Sequence, residues 1–326
     1  MMIFFIACII PQKQCAMECY NACMKRVLFL VNFTSGTANI KNRLPQILET
    51  LSLRDCLVTV FPIVPAKGLV SSRILNTPYL DYDCILCAGG DGTLNYLVNE
   101  MMTNDIRLPL AYIPTGSTND FSRSLNRGHN RTDVELARAA VSGNDFVYDI
   151  GKANGRYFNY IAAFGAFTEV SYETPQDLKN TFGYLAYVLS TLGSLADFGY
   201  RTHMRVEHDG ITEEGDYIFG AVSNSTSVGG VESPLLKDVR LDDGLMEVTL
   251  IKAPENFSEF SDTLGDLAAG TITHDSIRMF RTDHVRFTAD KPAAWTLDGE
   301  AGPAEQVMEV QVVSRAITMK VPRSKL

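Results

Sequence analysis

The segment ILCAGGDGTLNYLVNEM, residues 85–101, decides the fold. Its first four residues are apolar, three glycines follow within the next four positions, and the remainder repeats apolar residues with a helical period. Glycine-rich loops between a buried strand and a helix are typical of open α/β sheets, which bind phosphate groups at the carboxyl ends of their strands. The segment therefore predicts a strand over 84–88 and a helix over 94–102, joined by a ligand-binding loop.

A carboxylate, Asp91, lies among these glycines. The loop lacks the lysine of a P-loop and the spacing of a dinucleotide-binding fingerprint. A carboxylate repels a triphosphate unless a divalent cation lies between them, so we predict that Asp91 belongs to a magnesium–nucleotide site. The alternative is that Asp91 caps a helix beginning near Thr93.

A second loop has a similar composition. The segment YIPTGSTNDFSRSL, residues 112–125, follows another strand and offers small and polar groups at Gly116, Ser117, Thr118, Asn119 and Asp120. Two such loops at the ends of neighbouring strands would face one crevice. The alternative is a plain turn followed by a helix cap.

Composition limits the classes of function. The chain has 326 residues, of which 46% are hydrophobic and 21% charged, and suits two domains of ordinary size. Its net charge of −9 argues against a general nucleic-acid binder, because phosphate backbones require an excess of Lys and Arg on the binding face.

The predicted pattern of secondary structure changes near residue 148. Before it, apolar strands over 25–32, 57–64 and 108–114 alternate with helical segments such as 40–53, which indicates a parallel sheet. After it, Asn-Gly and Asp-Gly turns at 154–155 and 209–210 indicate antiparallel hairpins, interrupted by helical segments near 176–197 and 255–269. We predict a nucleotide-binding domain over 24–148 and a β domain over 149–326.

Residues 1–23 carry four of the seven cysteines and an apolar run too short to span a bilayer. We interpret this segment as translated from an upstream start codon, with Met24 as the true initiator; a short membrane-associating leader is the alternative. The other cysteines, Cys56, Cys84 and Cys87, have no partner histidine cluster, and the last two lie in a predicted strand. We expect packing thiols in a reducing compartment, without a zinc site.

The chain from Met24 onward resembles the diacylglycerol kinase catalytic-domain family, the soluble bacterial lipid kinases related to sphingosine and ceramide kinases. The GGDGT motif alone is shared with NAD kinases, but its combination with the later motifs is specific. These motifs are NFTSG at 32–36, GGDGTLN at 89–95, GSTNDFSR at 116–123, YDIG at 148–151, LDDGLMEV at 241–248 and LDGE at 297–300.

The resemblance implies an N-terminal Rossmann-like α/β domain, a C-terminal antiparallel β-sandwich and an active site in the cleft between them. It implies transfer of the γ-phosphate of ATP, with Mg²⁺, to the hydroxyl of diacylglycerol or a related lipid, giving phosphatidic acid. NAD kinase, or a nucleotide-binding regulator without catalysis, are the alternatives.

The resemblance also implies roles for individual residues. Glu300 would be the general base, although LDGE also predicts a plain hairpin turn, and the acidic cluster beside the nucleotide and metal would be Asp91, Asp120 and Asp149. A structural Mg²⁺ would bind the Asp243 carboxylate and backbone oxygens of Arg240 and Leu245, a site whose occupancy stays open. The ATP-binding residues would be Asn32, Phe33, Thr34, Ser35, Gly36, Gly90, Asp91, Gly92, Thr93, Leu94, Asn95 and Ser117.

A lipid substrate implies a cytoplasmic protein with peripheral membrane contact, while the oligomeric state is open, with a homodimer as one option. Candidate contacts are the arginines at 123, 127 and 131 and the basic tail 314–326, whose cations face no acid in the sequence; such clusters are more often solvated faces, which is the alternative for both. No Lys directly follows Ser35-Gly36, so a basic partner for the acidic cluster would have to be Lys41 or Arg43.

Overall fold

The structure is a computed structural model. It describes residues 24–36, 40–64, 67–68, 70–75, 81–126, 129–165, 201–228, 231–232, 234–236 and 238–323. The predicted leader over 1–23 and the predicted helix over 176–197 lie outside the described residues.

The described residues form strands and helices that follow one another along the chain. The strands are β1 Lys25–Asn32, β2 Cys56–Ile63, β3 Cys84–Gly89, β4 Leu110–Pro114, β5 Asn144–Ala153, β6 Arg156–Phe158, β7 Ile161–Gly165, β8 Thr202–His208, β9 Ile211–Ser223, β10 Ser227–Val228, β11 Val231–Glu232, β12 Met246–Lys252, β13 Ile277–Thr282, β14 His284–Leu297 and β15 Glu300–Val321. The helices are α1 Ile40–Ser52, α2 Ser71–Leu75, α3 Asp91–Thr103, α4 Asp120–Leu125, α5 Asp133–Ser142 and α6 Phe257–Ala269, with a 3₁₀ turn at Pro234–Leu236.

The N-terminal part is a parallel sheet in the order β4, β3, β1, β2. Residues 27–31 of β1 are fully buried and alternate between two hydrophobic clusters, one on each face of the sheet. This pattern is typical of parallel strands covered on both faces, and each fully buried aliphatic side chain contributes about 1.5 to 3 kcal/mol relative to exposure. The predicted Rossmann-like layer is confirmed.

The C-terminal part is antiparallel. From its edge the strand order is β13, β12, β9, β7, β14, β15, with β8 pairing both β14 and β9. A core of aromatic side chains holds it, in which Phe164, Phe287 and Trp295 pack with ring centroids 4.9 to 5.9 Å apart. The predicted antiparallel β domain is confirmed.

The long strand β15 joins the two parts. It pairs with β14 and β5 antiparallel, and Met319 near its end pairs parallel with Leu110 of β4. The strand β5 runs without interruption across position 148. The two parts are therefore linked by backbone hydrogen bonds, and the boundary at 148 stays a prediction.

Several local predictions are confirmed at residue level. Thr132 and Glu135 form a complete capping box at the start of α5, and Gly143 is the C-cap of that helix. The residues of the two predicted hairpin turns have positive φ, as a type I′ turn requires. The helix after the 89–93 loop begins at Asp91, three residues earlier than predicted, because Gly90 is its N-cap and Gly92 lies in its first turn.

The predicted packing role of the cysteines is visible in β3. Cys84 and Cys87 are buried in different hydrophobic clusters on opposite faces of the sheet, since residues three apart on a strand point to opposite sides. Burial raises the pKa of each thiol to about 12. Both are therefore neutral packing groups. Within the described residues, no helix is long and apolar enough to span a membrane.

Candidate active site

Three loops meet at the carboxyl edge of the parallel sheet. They are residues 32–36 after β1, 89–93 after β3 and 115–119 after β4. A Cβ atom added to Gly116 would lie 2.9 Å from the Cα of Gly90, and one added to Gly36 would overlap the carbonyl oxygen of Thr115. Gly36 also has a φ of +61°. The loops therefore pack backbone against backbone, and glycine is required where they touch.

The 32–36 loop is organised by Asn32, one of the residues of the predicted nucleotide site. Asn32 Nδ2 donates to Thr93 Oγ1 at 2.8 Å, and Asn32 Oδ1 accepts from the backbone N–H of Thr34 at 3.0 Å. The Ser35 hydroxyl is hydrogen-bonded to that of Thr115. Asn32 thus fixes its own loop against the start of α3, and Ser35 joins the first loop to the third.

Asp91 is the first helical residue of α3 and does not cap it. The N-cap is Gly90, and no side chain caps this helix, so the capping interpretation is wrong. Instead, Asp91 Oδ2 accepts from the backbone N–H of Asp120 at 3.1 Å and from Thr118 Oγ1 at 3.3 Å. Its other oxygen, Oδ1, is buried without a hydrogen-bond partner.

The electrostatics of Asp91 follow from this environment. Burial, and then the nearby carboxylate of Asp120, raise the pKa of Asp91 to about 7. Both causes disfavour the charged form. An unpartnered buried oxygen beside a second carboxylate is an environment that a bound cation would stabilise.

Asp120 begins α4 and is 2% exposed. Its Oδ1 accepts from Ser227 Oγ at 2.6 Å, which ties the third loop to the start of β10. Asn119 adopts the left-handed conformation and closes the loop by bonding both the N–H and the carbonyl of Gly116, at 2.9 and 2.8 Å.

Asp149 takes a different place from the two other aspartates. It is fully buried in β5, where one carboxylate oxygen accepts from the backbone N–H of Gly244 and the other from that of Arg315, both at 2.6 Å. These bonds fix the 241–245 loop against β15. The structure brings Asp91 and Asp120 together, whereas both oxygens of Asp149 are engaged with backbone elsewhere.

Glu300 lies against the 89–93 loop. It is the first residue of β15 and exposed, and a Cβ atom added to Gly92 would overlap its Oε1 atom. Asp298 and Gly299 precede it with φ values of +50° and +81°, a type I′ turn as LDGE predicts. A carboxylate from the C-terminal part is therefore presented at the N-terminus of α3.

In the predicted structural metal site, the one carboxylate ligand, Asp243, is engaged within the protein, and the site stays a prediction. Asp243 forms an ion pair with Arg281 through Oδ2 and accepts from the backbone N–H of Leu245 at 3.2 Å through Oδ1. Arg281 also donates to Glu247 at 3.1 Å, and the two are directly opposite each other in the β12–β13 register. Arg240 is exposed, with Asp242 3.8 Å away. A guanidinium thus supplies the positive charge here.

The remaining predicted nucleotide residues differ in their exposure to solvent. Ser117 is exposed at the loop surface, while Leu94 is fully buried in the core and Phe33 packs against the core beneath the sheet. Asn95 is 8% exposed, and its side chain donates to Asp298 at 2.7 Å. Leu94 can offer a ligand only its backbone.

The expected basic partner of the acidic cluster does not come from Arg43. Its guanidinium forms a two-pronged ion pair with Asp133 at the start of α5. Among the described residues, no group of three or more His, Cys, Asp or Glu side chains could hold a metal ion.

Sequence reasoning did not predict the structural roles of three residues that build this site: Asn119, Ser227 and Asp298. Asn119 was named only as a polar group of the second loop, although Asn is one of the few residues that tolerate the left-handed conformation that closes this loop. Ser227 carries no local signal, because its partner Asp120 is 107 positions away. The sequence predicts Asp298 only as a turn residue, yet it is 3% exposed.

Phosphate-type loops at a sheet edge, close to a carboxylate from the C-terminal part, are typical of a nucleotide-dependent phosphotransferase. The chain matches the family described as "Diacylglycerol kinase catalytic domain" over residues 26–153 and that described as "YegS C-terminal NAD kinase beta sandwich-like domain" over residues 163–321.

Individual relatives agree. The chain is 32% identical to a diacylglycerol kinase of Bacillus subtilis over 281 residues, covering 86% of this chain and 91% of the relative. It is 31% identical to one of Staphylococcus carnosus, covering 85% and 89%. A crystal structure of a diacylglycerol kinase from Bacillus anthracis has a similar fold, with a TM-score of 0.70 at 20% identity over 92% of this chain and 97% of that one. The chain belongs to the diacylglycerol kinase family and is a lipid kinase, for which the family implies ATP as phosphate donor.

Proposed function

We propose that this protein transfers the γ-phosphate of ATP to the hydroxyl of diacylglycerol or a closely related lipid alcohol, giving phosphatidic acid or its analogue. The observation that carries the proposal is the contact of Glu300 with Gly92, because it brings a carboxylate from the C-terminal part to the loop expected to hold the phosphates. Phosphoryl transfer requires mainly the positioning of donor and acceptor and the neutralisation of charge.

The glycine loops bind the donor. Helix α3 begins at the carboxyl end of β3, and helix N-termini attract phosphate oxygens. Gly90 and Gly116 have no side chain, which lets a phosphate approach the backbone closely. The Asn32 network holds the first loop in place for the same ligand.

Asp91 and Asp120 fit a magnesium ion. Asp91 has a buried oxygen without a hydrogen-bond partner, and its neighbour Asp120 adds a second negative charge. Hard divalent cations prefer such oxygen ligands. When bound, Mg²⁺ would neutralise charge on the phosphates. The two aspartates would hold it, and their desolvation would then be offset by the cation.

Glu300 acts on the acceptor. Its carboxylate takes the proton of the lipid hydroxyl as the hydroxyl oxygen bonds to the γ-phosphorus and ADP leaves. The turn at Asp298 and Gly299 gives Glu300 a defined position. A general base in such a position typically contributes about 10²- to 10⁴-fold to the rate.

Access to a lipid requires peripheral contact with a membrane, which we place on the cytoplasmic side. Free, buried thiols at Cys56, Cys84 and Cys87 suit that reducing compartment. The basic tail is a weaker contact than its sequence suggested, because Lys320 forms an ion pair with Asp145 at 2.6 Å. A homodimer stays a prediction, which light scattering on the purified chain would test.

The experiment that tests the function is transfer of labelled γ-phosphate from ATP, with Mg²⁺, to a panel of lipid alcohols in mixed micelles, with NAD as a soluble acceptor. The matched control is the Glu300→Gln variant. Label in phosphatidic acid that depends on Glu300 supports the proposal. Label in NADP indicates an NAD kinase, and ATP binding without transfer to any acceptor indicates a nucleotide-binding regulator.

A further inference from the structure

Asp298 is buried and heavily hydrogen-bonded. Its carboxylate accepts from the backbone N–H groups of Asn159, Tyr160 and Ile161 at 2.6, 2.9 and 3.1 Å. It also accepts from the side-chain amides of Asn159 at 3.1 Å and Asn95 at 2.7 Å. This side chain therefore joins the turn before β15 to the start of β7 and to α3.

Turn geometry alone does not account for this arrangement. An Asp-Gly hairpin turn ordinarily leaves its Asp at the surface, whereas Asp298 is 3% exposed. Burial raises the pKa of Asp298, and the hydrogen bonds from Asn159, Tyr160 and Asn95 oppose that rise. Burying a carboxylate is costly unless its hydrogen bonds are made, and Asp298 meets this requirement with donors from residues 159–161 and from Asn95 of α3.

Asn95 is the partner of Asp298 on α3. Besides donating to Asp298, its Nδ2 donates to the carbonyl of Tyr157 at 3.1 Å, and its Oδ1 accepts from Asn99 at 3.2 Å. Both ends of the Asn95 amide are thus engaged within the protein. A direct contact of this side chain with a nucleotide would require breaking these bonds.

Two neighbouring contacts connect α3 to the turn at 298–299. Gly92 and Asn95 are three residues apart on α3, so they lie on one face of the helix. Asp298 and Glu300 are two residues apart across the turn. Asn95 holds Asp298, and Gly92 touches Glu300. The first contact therefore fixes how far the turn sits from the helix, and with it the position of the Glu300 carboxylate.

We propose that Asp298 is a positioning residue for Glu300 and that Asn95 acts as its partner, so that Asn95 serves turnover rather than ATP affinity. The inference rests on the proposed role of Glu300 as general base. It changes the expectation for Asn95 from a nucleotide contact to a link between the nucleotide loop and the base.

The test compares Asn95→Ala with Asn99→Ala in the full-length chain. Asn99 lies one turn further along α3, where its side chain bonds the backbone N–H of Tyr157 at 2.9 Å and the carbonyl of Tyr157 at 2.8 Å, but it does not bond Asp298. Both variants loosen the same helix. Asn99→Ala also removes the bond to Asn95 Oδ1, but it leaves the bond from Asn95 Nδ2 to Asp298, which only Asn95→Ala removes. Asp298→Asn serves as a second variant, since it keeps the size of the side chain but replaces one of its two acceptor oxygens with an NH₂ donor.

The readouts are kcat, KM for ATP, the Kd of a non-hydrolysable ATP analogue with Mg²⁺, and the melting temperature. Misplacing a catalytic group by about 1 Å can cost about 100-fold in rate. We expect Asn95→Ala and Asp298→Asn to lower kcat by about 10- to 100-fold while KM and Kd for the nucleotide change less than about 3-fold. Asn99→Ala should lower the melting temperature similarly and keep kcat within about 2-fold of the parent.

Three results would overturn the inference. If Asn95→Ala weakens analogue binding as much as it lowers kcat/KM, then Asn95 contacts the nucleotide. If Asn99→Ala lowers kcat as much as Asn95→Ala, then loosening of α3 explains both. Adding Asn95→Ala to Glu300→Gln should cause little further loss, and a full additional loss would equally contradict the positioning role.

Hydrogen exchange separates this inference from the proposed function. We expect Asn95→Ala, but not Asn99→Ala, to lose amide protection over residues 296–302, a readout that needs no lipid substrate. Unchanged protection there would overturn the link between Asn95 and the turn. If protection is lost as expected while Glu300→Gln keeps full turnover, then the link exists and the proposed base is wrong.

Discussion

The Glu300 carboxylate occupies the space that a side chain on Gly92 would fill. Gly92 does not have a positive φ, and it lies in the first turn of α3. The requirement for glycine is therefore steric, imposed by a residue 208 positions later, and is not a demand of the local backbone. A substitution at Gly92 should therefore change activity without lowering the stability of the fold.

Gly92→Ala should keep or raise stability and lose activity. Alanine is favoured over glycine within a helix by about 1 kcal/mol, but its methyl group would displace Glu300. We expect kcat to fall by about 100-fold with an unchanged or higher melting temperature. Gly265→Ala in α6 is the matched control, because a Cβ atom there meets nothing within 4 Å. Wild-type turnover in Gly92→Ala would show that the position of Glu300 does not matter.

Glu300→Gln should separate binding from chemistry. The amide keeps the size of the side chain but cannot take a proton, so kcat should fall by about 10²- to 10⁴-fold. Calorimetric titration with a non-hydrolysable ATP analogue should give an affinity within about 3-fold of the parent. Near-normal turnover would mean that the base lies elsewhere, with Asp120 as the next candidate.

The parts of this site that the sequence predicts are those with local signals. The buried strand before Gly89, the Asp-Gly turn at 298–299 and the capping box at Thr132 each depend on residues within a few positions of one another. Contacts set by strand register were not predictable in this way. Glu247 and Arg281 are opposite each other only because β12 pairs with β13 at that register.

The same distinction between local and long-range contacts explains why Asp91 and Asp120 lie together while Asp149 lies elsewhere. The loops bearing Asp91 and Asp120 follow adjacent parallel strands, so their proximity could be expected. Asp149 lies in β5, and its partners Gly244 and Arg315 are 95 and 166 positions away. Nothing near Asp149 in the sequence indicates that its carboxylate holds backbone N–H groups.

Asp91→Asn should change how stability depends on pH. The pKa of Asp91 is raised from 3.8 to about 7, so the folded chain binds more protons than the unfolded chain between these values. Stability contributed by protonated Asp91 is present below about pH 4 and is lost as pH rises to about 7. Without Mg²⁺ or nucleotide, we expect Asp91→Asn to be more stable than the parent at pH 8 by on the order of 1 to 3 kcal/mol, and little different at pH 4.

Urea unfolding at both pH values measures this difference. Asp81→Asn is the control, because the Asp81 side chain is 89% exposed and should show no such pH dependence. Added Mg²⁺ should stabilise the parent at pH 8 more than it stabilises Asp91→Asn. An equal response of both proteins to Mg²⁺ would argue against a cation at Asp91.

Arg281→Gln should make the 241–245 loop dependent on a cation. Arg281 forms ion pairs with both Asp243 and Glu247, and burial raises the pKa of Glu247 to about 7 despite that guanidinium. Without Arg281, we expect a loss of about 1 to 3 kcal/mol at pH 8 and a smaller loss at pH 5, where Glu247 binds a proton. Arg278→Gln, which removes the ion pair with Glu213 from the same strand, is the matched control.

Added Mg²⁺ then tests whether the positive charge beside Asp243 comes from the Arg281 guanidinium or from a bound metal ion. The measurement uses the Asp91→Asn background without nucleotide, so that the proposed site at Asp91 does not contribute. With Arg281 present, Mg²⁺ should leave the melting temperature unchanged, whereas in the Arg281→Gln variant Mg²⁺ should restore part of the lost stability. If Mg²⁺ stabilises the protein that retains Arg281, then a cation binds beside Asp243 together with the guanidinium. The site that the family resemblance implied would in that case be present after all.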